Sequence, residues 1–129
     1  MKLGVAILHK VYKMPFSDLY ECYVTKVERK ERTKRELNAI LRWLTGLDSK
    51  ELAKFIKSRV TLEDFFSKTK LHPNAKMITG SICGVKIEEI QEPLMKKIRY
   101  MDKIVDELAK GKSIDKICRT SPQDSRLKA

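Results

Sequence analysis

The sequence predicts an all-α fold, a small orthogonal bundle of about six or seven helices, and three observations carry that expectation. Apolar residues recur at spacings of three and four along nearly the whole chain, which is the period of a helix with one buried face. Capping signals punctuate those runs at short intervals, so the helices are brief, and brief helices with tight connections must cross steeply. A length of 129 residues suits one core, and 42% hydrophobic residues exclude the composition of a disordered chain.

Taken in order, Ser17 is the expected N-cap of a helix through "DLYECYVTKVERK", whose stripe is Leu19, Tyr20, Tyr23, Val24 and Val27. "TKRE" is a capping box: the Thr33 hydroxyl can accept from the Glu36 amide while the Glu36 carboxylate reaches back to Thr33. Leu37, Ile40, Leu41 and Leu44 line the helix that follows, and Gly46 supplies its left-handed stop. Asp48 to Glu51 is a second box, before Leu52, Phe55 and Ile56. Thr61 caps a short helix that buries Leu62, Phe65 and Phe66, with Glu63 and Asp64 favourable to its dipole. Pro93 suits the first turn of a long helix through Leu94, Ile98, Met101, Ile104, Val105 and Leu108, and Ser113 caps a last one at Ile114, Ile117 and Cys118. The domain is expected over 9–119, with 1–8 an N-terminal extension and 120–129 a polar, flexible tail.

The stretch "PNAKMITGSICGVKIEEIQEP" admits two readings. With Asn74 as cap, Ala75, Ile78 and Ile82 fall at helical spacing, and "VKIEEIQ" restarts as a second short helix, a helix-turn-helix joint with Gly80 allowing close packing and Gly84 ending the turn. The alternative is α+β, with a short hairpin at 76–90, because β-branched residues also alternate there. Helix-turn-helix is favoured because the flanking segments are helical.

Function is less legible. The same stretch holds Ser81 and Cys83 between glycines, but a nucleophile elbow would centre its nucleophile where Ile82 stands, and only His9 and His72 could serve as base. A thiol-dependent enzyme using Cys83 is therefore an alternative, and the chain is expected not to be an enzyme. Cys22, Cys83 and Cys118 are odd in number and each lies among apolar residues, which suits reduced, buried thiols in a cytoplasmic protein. No metal-ligand spacing or phosphate-binding loop is present, so no metal or cofactor is expected.

A net charge of +11 gives a field attractive to nucleic acid or to an acidic partner. "KVERKERTKR" concentrates it at a helix junction, with Lys26, Arg29, Lys30, Arg32, Lys34 and Arg35 against two acidic residues. Nucleic-acid binding through this corner would want Tyr20, Tyr23 or Trp43 for stacking, whereas Tyr23 and Trp43 sit in apolar stripes and read as core. The favoured expectation is a small non-enzymatic binding or protein-interaction module, with a homo-oligomer or an acidic protein as partner and no membrane.

"YKMPFSDLYECYVTKVERKERTKRELNAILRWLTG" and "HPNAKMITGSICGVKIEEIQEPLMKKIRYMDKIVDELAKGKSIDKICR" together resemble the prokaryotic domain-of-unknown-function family 2200, over about His9 to Arg119. The resemblance implies a small, mostly helical cytoplasmic protein and supplies no site residues. Met1 to Leu8 stand ahead of the family's usual start. Glu31 stands where members often carry glycine, which weakens the expectation of a tight turn there.

Overall fold

The computed structural model describes residues 10–82 and 84–119. His9, Cys83, the extension 1–8 and the tail 120–129 lie outside the described residues. Helix α1 spans Phe16–Glu28 and buries Phe16, Tyr20, Tyr23 and Val27, spaced by four, three and four. Its N-cap is Pro15, not the expected Ser17. The helix starts two residues early because an isolated bridge ties Pro15 to Thr61: the Phe16 amide donates to the Val60 carbonyl (2.8 Å), which leaves Ser17 inside the first turn with a buried Oγ that finds no partner among the described residues.

The chain then turns sharply. Glu31 takes a left-handed conformation (φ 62°), its amide donates to the Glu28 carbonyl (3.0 Å), and the Arg32 amide donates to that of Val27 (2.9 Å). These two bonds make a Schellman motif with glutamate in the glycine position. The tight turn forms in spite of the missing glycine.

Helix α2, Lys34–Thr45, opens with the expected box: Thr33 Oγ1 accepts from the Glu36 amide (3.1 Å) and Glu36 Oε1 from the Thr33 amide (2.9 Å). Gly46 closes it in the left-handed region, and Leu37, Ile40, Leu41, Trp43 and Leu44 are buried. Helix α3, Ser49–Ile56, repeats the device with Asp48 and Glu51, and α4, Leu62–Ser67, with Thr61 alone. Phe65 of α4 stacks on Phe16 of α1 with ring centroids 4.0 Å apart, and Phe55 and Phe66 meet Phe65 edge-on.

Between Pro73 and Glu92 the helix-turn-helix reading is overturned. A single 3-10 turn, Pro73–Met77, leads into strands β1 (Ser81–Ile82) and β2 (Val85–Lys86), paired antiparallel with Ile82 opposite Val85, and a second 3-10 turn, Ile87–Glu89. The cap is His72, whose Nδ1 accepts from the Asn74 amide (2.9 Å), so Asn74 is capped rather than capping. The glycines decide against a helix, since Gly80 and Gly84 both take positive φ and would each break it. Ile78 and Ile82, four apart, satisfy a strand's period as well as a helix's, and both are buried.

Helix α5, Pro93–Ala109, is the spine, packing against α1, α2, α4 and the hairpin, and against the final helix α6, Ile114–Cys118. One apolar cluster runs from Tyr12 to Cys118. No helix among the described residues is long and apolar enough to cross a membrane.

Candidate functional site

The basic corner divides into three kinds of residue. Lys26 is committed to Asp106 (3.2 Å), which Lys110 also binds (2.9 Å). Burial works to raise the Asp106 carboxyl, but hydrogen bonds from Lys110 and Lys26 outweigh it and hold the group below its ordinary value. Arg32 is a structural clasp with a side chain only 17% exposed: Nε and Nη2 grip Glu36 Oε2 (3.1 and 2.8 Å), while Nη1 donates to the carbonyls of Leu108 (3.0 Å) and Lys112 (3.1 Å). It locks the start of α2 to the end of α5. Arg29, Lys30, Lys34 and Arg35 are exposed and make no ion pair among the described residues.

Lys34 and Arg35 line a groove of about 480 Å³ between α2 and α3. Asn38, Ala39 and Arg42 continue the α2 wall, and Ser49, Leu52, Ala53 and Ile56 form the α3 side. On α2 the positions 34, 35, 38, 39 and 42 are one face of a helix, opposite the buried stripe; on α3 the positions 49, 52, 53 and 56 are likewise one face. Among the described residues the lining holds three cations and no carboxylate. Tyr20 OH donates to Asn38 Oδ1 (2.6 Å) and orients that amide. Arg42 Nε is buried without a hydrogen-bond partner among the described residues. Arg42 escaped the sequence reading because it stands outside the charge run; the signal that reaches it is the helical spacing from Lys34 and Arg35.

The aromatic residues offer no stacking surface. Tyr20, Tyr23 and Trp43 are buried, and Trp43 stacks instead on His72 (4.7 Å). Tyr23 OH donates to Asp102, and burial first, then that carboxylate, pushes the phenol well above its ordinary value. Ser81 is exposed on β1, and its carbonyl accepts from Lys103 Nζ (3.1 Å). Cys118 is buried as expected, but Cys22 is exposed, a correction: on α1 it falls off the face set by Tyr20 and Tyr23. Among the described residues no three of His, Cys, Asp and Glu are placed to hold a metal ion.

Fold and groove together define a small, basic, largely helical domain with a cation-walled cleft between two helices. The chain belongs to the family of uncharacterized proteins conserved in bacteria (DUF2200), which matches residues 10–119. It is similar to the crystal structure of the uncharacterized protein SP1917, with 40% identity, a TM-score of 0.81 and coverage of 85% of this chain and 91% of that one. No curated protein matches the chain.

Proposed function

We propose that the domain is a non-enzymatic protein-interaction module whose α2–α3 groove takes an acidic, amphipathic segment of a partner protein. The observation that carries this reading is the lining itself: a floor of Ala39, Leu52, Ala53 and Ile56 beside a wall of Lys34, Arg35 and Arg42, with no acidic side chain among the described residues. Apolar side chains of a partner lose water against the floor while its carboxylates meet the wall, so both affinity and orientation have a source. Duplex DNA fits less well, because a concave cleft offers no protruding helix or ribbon to a groove. Single strands lack the aromatic platforms they use, since Tyr20, Tyr23 and Trp43 are core. Enzyme chemistry at the hairpin lacks support as well: His72 is committed to Asn74 and Trp43.

The test is fluorescence anisotropy with a labelled amphipathic peptide of about 16 residues, leucine at helical spacing on one face and glutamate elsewhere, beside its scramble and a roughly 20-base-pair duplex. The expected result is saturable binding of the patterned peptide, weakened about tenfold or more by Lys34→Glu with Arg35→Glu. Equal binding of the scramble, tighter salt-sensitive binding of the duplex, or no saturation at roughly 100 µM protein overturns the reading.

A further inference from the structure

We propose that the occupant of the groove is a second copy of this chain, which inserts the acidic lobe formed by β2 and the 3-10 turn after it. This rests on the reading of the groove as a docking site and names its partner. Three observations converge on the lobe. The two exposed large hydrophobic residues among the described ones, Met77 (52%) and Val85 (41%), both belong to the Pro73–Glu92 segment. Both residues of β2 are exposed, so this strand presents Val85 outward while Ile82 and Ile87 anchor the lobe inward on the core. From Val85 to Met95 the chain carries Glu88, Glu89 and Glu92 against Lys86 alone, in a protein whose net charge is +11.

Glu88 is partly committed within its own lobe, accepting from the Gly80 amide (2.8 Å). Glu89 and Glu92 are exposed and make no ion pair among the described residues. Glu92 also shares a hydrogen bond with the Tyr12 hydroxyl, so the lobe combines an outward apolar side chain with the unpaired carboxylate of Glu89 and the exposed one of Glu92. The groove combines an apolar floor with Lys34, Arg35 and Arg42, likewise unpaired. Each surface offers what the other lacks, and like-charge repulsion disfavours groove against groove or lobe against lobe.

The two surfaces lie on different elements, the groove on α2 and α3 and the lobe on the hairpin that packs on α5. Contact between copies therefore joins unlike surfaces, groove to lobe, and where it runs head-to-tail it leaves a free groove at one end and a free lobe at the other. Such an interface has a signature that contact between like surfaces lacks. A copy broken only at its groove still presents a lobe, and a copy broken only at its lobe still presents a groove, so the two broken forms must join each other.

Sedimentation velocity of the full chain from roughly 10 µM to 1 mM at low salt reads this directly, over the range expected of a small interface. The expected result is a weight-average mass that rises with concentration and falls again in high salt. Lys34→Glu with Arg35→Glu, and separately Glu89→Lys with Glu92→Lys, should each stay monomeric, and their equimolar mixture should form a one-to-one dimer. Glutamates at the first two positions of α2 suit its dipole, and a circular-dichroism melt confirms folding, with glutamine at the same positions as the milder pair. A wild-type chain monomeric throughout, a single variant that associates as the wild type does, or a mixture that stays monomeric overturns the proposal. Titration of the acidic peptide into the same samples separates the two ideas. Peptide binding by a strictly monomeric wild type leaves the groove standing and removes only self-association; absence of peptide binding removes both.

Discussion

The corner where α1 meets α2 and the lobe between Pro73 and Glu92 are both tight reversals, yet they are held in opposite ways. At the corner the bonds are mostly between sequence neighbours: the Glu31 turn, the Thr33–Glu36 box and the Arg32–Glu36 pair all close within five residues. The lobe has strands of two residues and single 3-10 turns, and beside short bonds of its own such as Gly80 to Glu88 it relies on distant ties to the rest of the fold: Lys103 Nζ to the Ser81 carbonyl (3.1 Å) and Asn74 Nδ2 to the Arg119 carbonyl (3.1 Å). Local bonds can form before the rest of the fold and persist when it loosens, whereas a two-residue hairpin depends on the surface beneath it. The difference implies that the lobe opens by itself while α2 opens only with the whole domain.

The largest effect should separate the two regions outright. Trp43 on α2 is fully buried and stacked on His72, so Trp43→Ala should cost about 3–5 kcal/mol in urea unfolding. Val85→Ala on the lobe should stay within about 0.5 kcal/mol, because the side chain is already wet. In the wild type, hydrogen exchange should show α2 amides exchanging by global unfolding and hairpin amides faster; equal protection would break the contrast.

Arg32→Ala comes next. It removes a charged pair and two bonds to carbonyls, one in the last turn of α5 and one just past it, with an expected loss of about 2 kcal/mol. Lysine should recover less than half, since one ammonium cannot match a fork that meets Glu36 with two nitrogens and the carbonyls with a third. Full recovery by lysine would mean that charge alone matters here. Smaller again, and opposite in sign, is Glu31→Gly: with φ at 62° the glutamate occupies a region that costs a side-chain-bearing residue about 1 kcal/mol, so glycine should stabilise by about 0.5 kcal/mol after its added unfolded-state freedom. A loss of stability on that change would show that the Glu31 side chain contributes more than the backbone conformation costs.

The same contrast explains what was legible in the sequence. Capping boxes at Thr33 and Asp48, the Gly46 stop and the long helix after Pro93 are local chemistry, written in residues three or four apart, and the structure has them as read. Ser17 misled because the helix start is fixed from a distance, by the Pro15–Thr61 bridge. The hairpin misled because Ile78 and Ile82 obey both periods, and only the positive φ of Gly80 and Gly84 decides between them. At the site, the charge run pointed to Lys34 and Arg35 but merged them with Arg32, whose carbonyl partners, Leu108 on α5 and Lys112 just after it, lie 76 and 80 residues away. The groove was out of reach for the same reason: it takes two helices to make it, and the sequence does not say how α2 and α3 meet.

The subtlest difference concerns protons. Glu88 is held below the ordinary glutamate value of 4.5, first by the hydrogen bond from the Gly80 amide, with its own amide and the charges of Lys86 and Lys103 adding to the effect. A carboxyl whose folded value is depressed contributes its stabilisation above the unfolded value and loses it as pH falls through the folded one. Because Gly80 begins the hairpin and its carbonyl accepts from the Ile87 amide (2.9 Å), protonation of Glu88 should loosen the lobe from below about pH 4.5 downward, before the helices respond. Glu36 is also depressed, chiefly by Arg32, so the corner carries an acid-sensitive bond too, but one backed by the Thr33 amide and the Schellman turn. An NMR titration should therefore show the Gly80 amide shifting with a midpoint below the ordinary glutamate value of 4.5, and hairpin exchange accelerating over the same interval while α2 stays protected. In Glu88→Gln that inflection should vanish. A Gly80 amide that titrates at the ordinary glutamate value, or an unchanged profile in the glutamine variant, would mean that the lobe is held by Lys103 and its buried isoleucines alone.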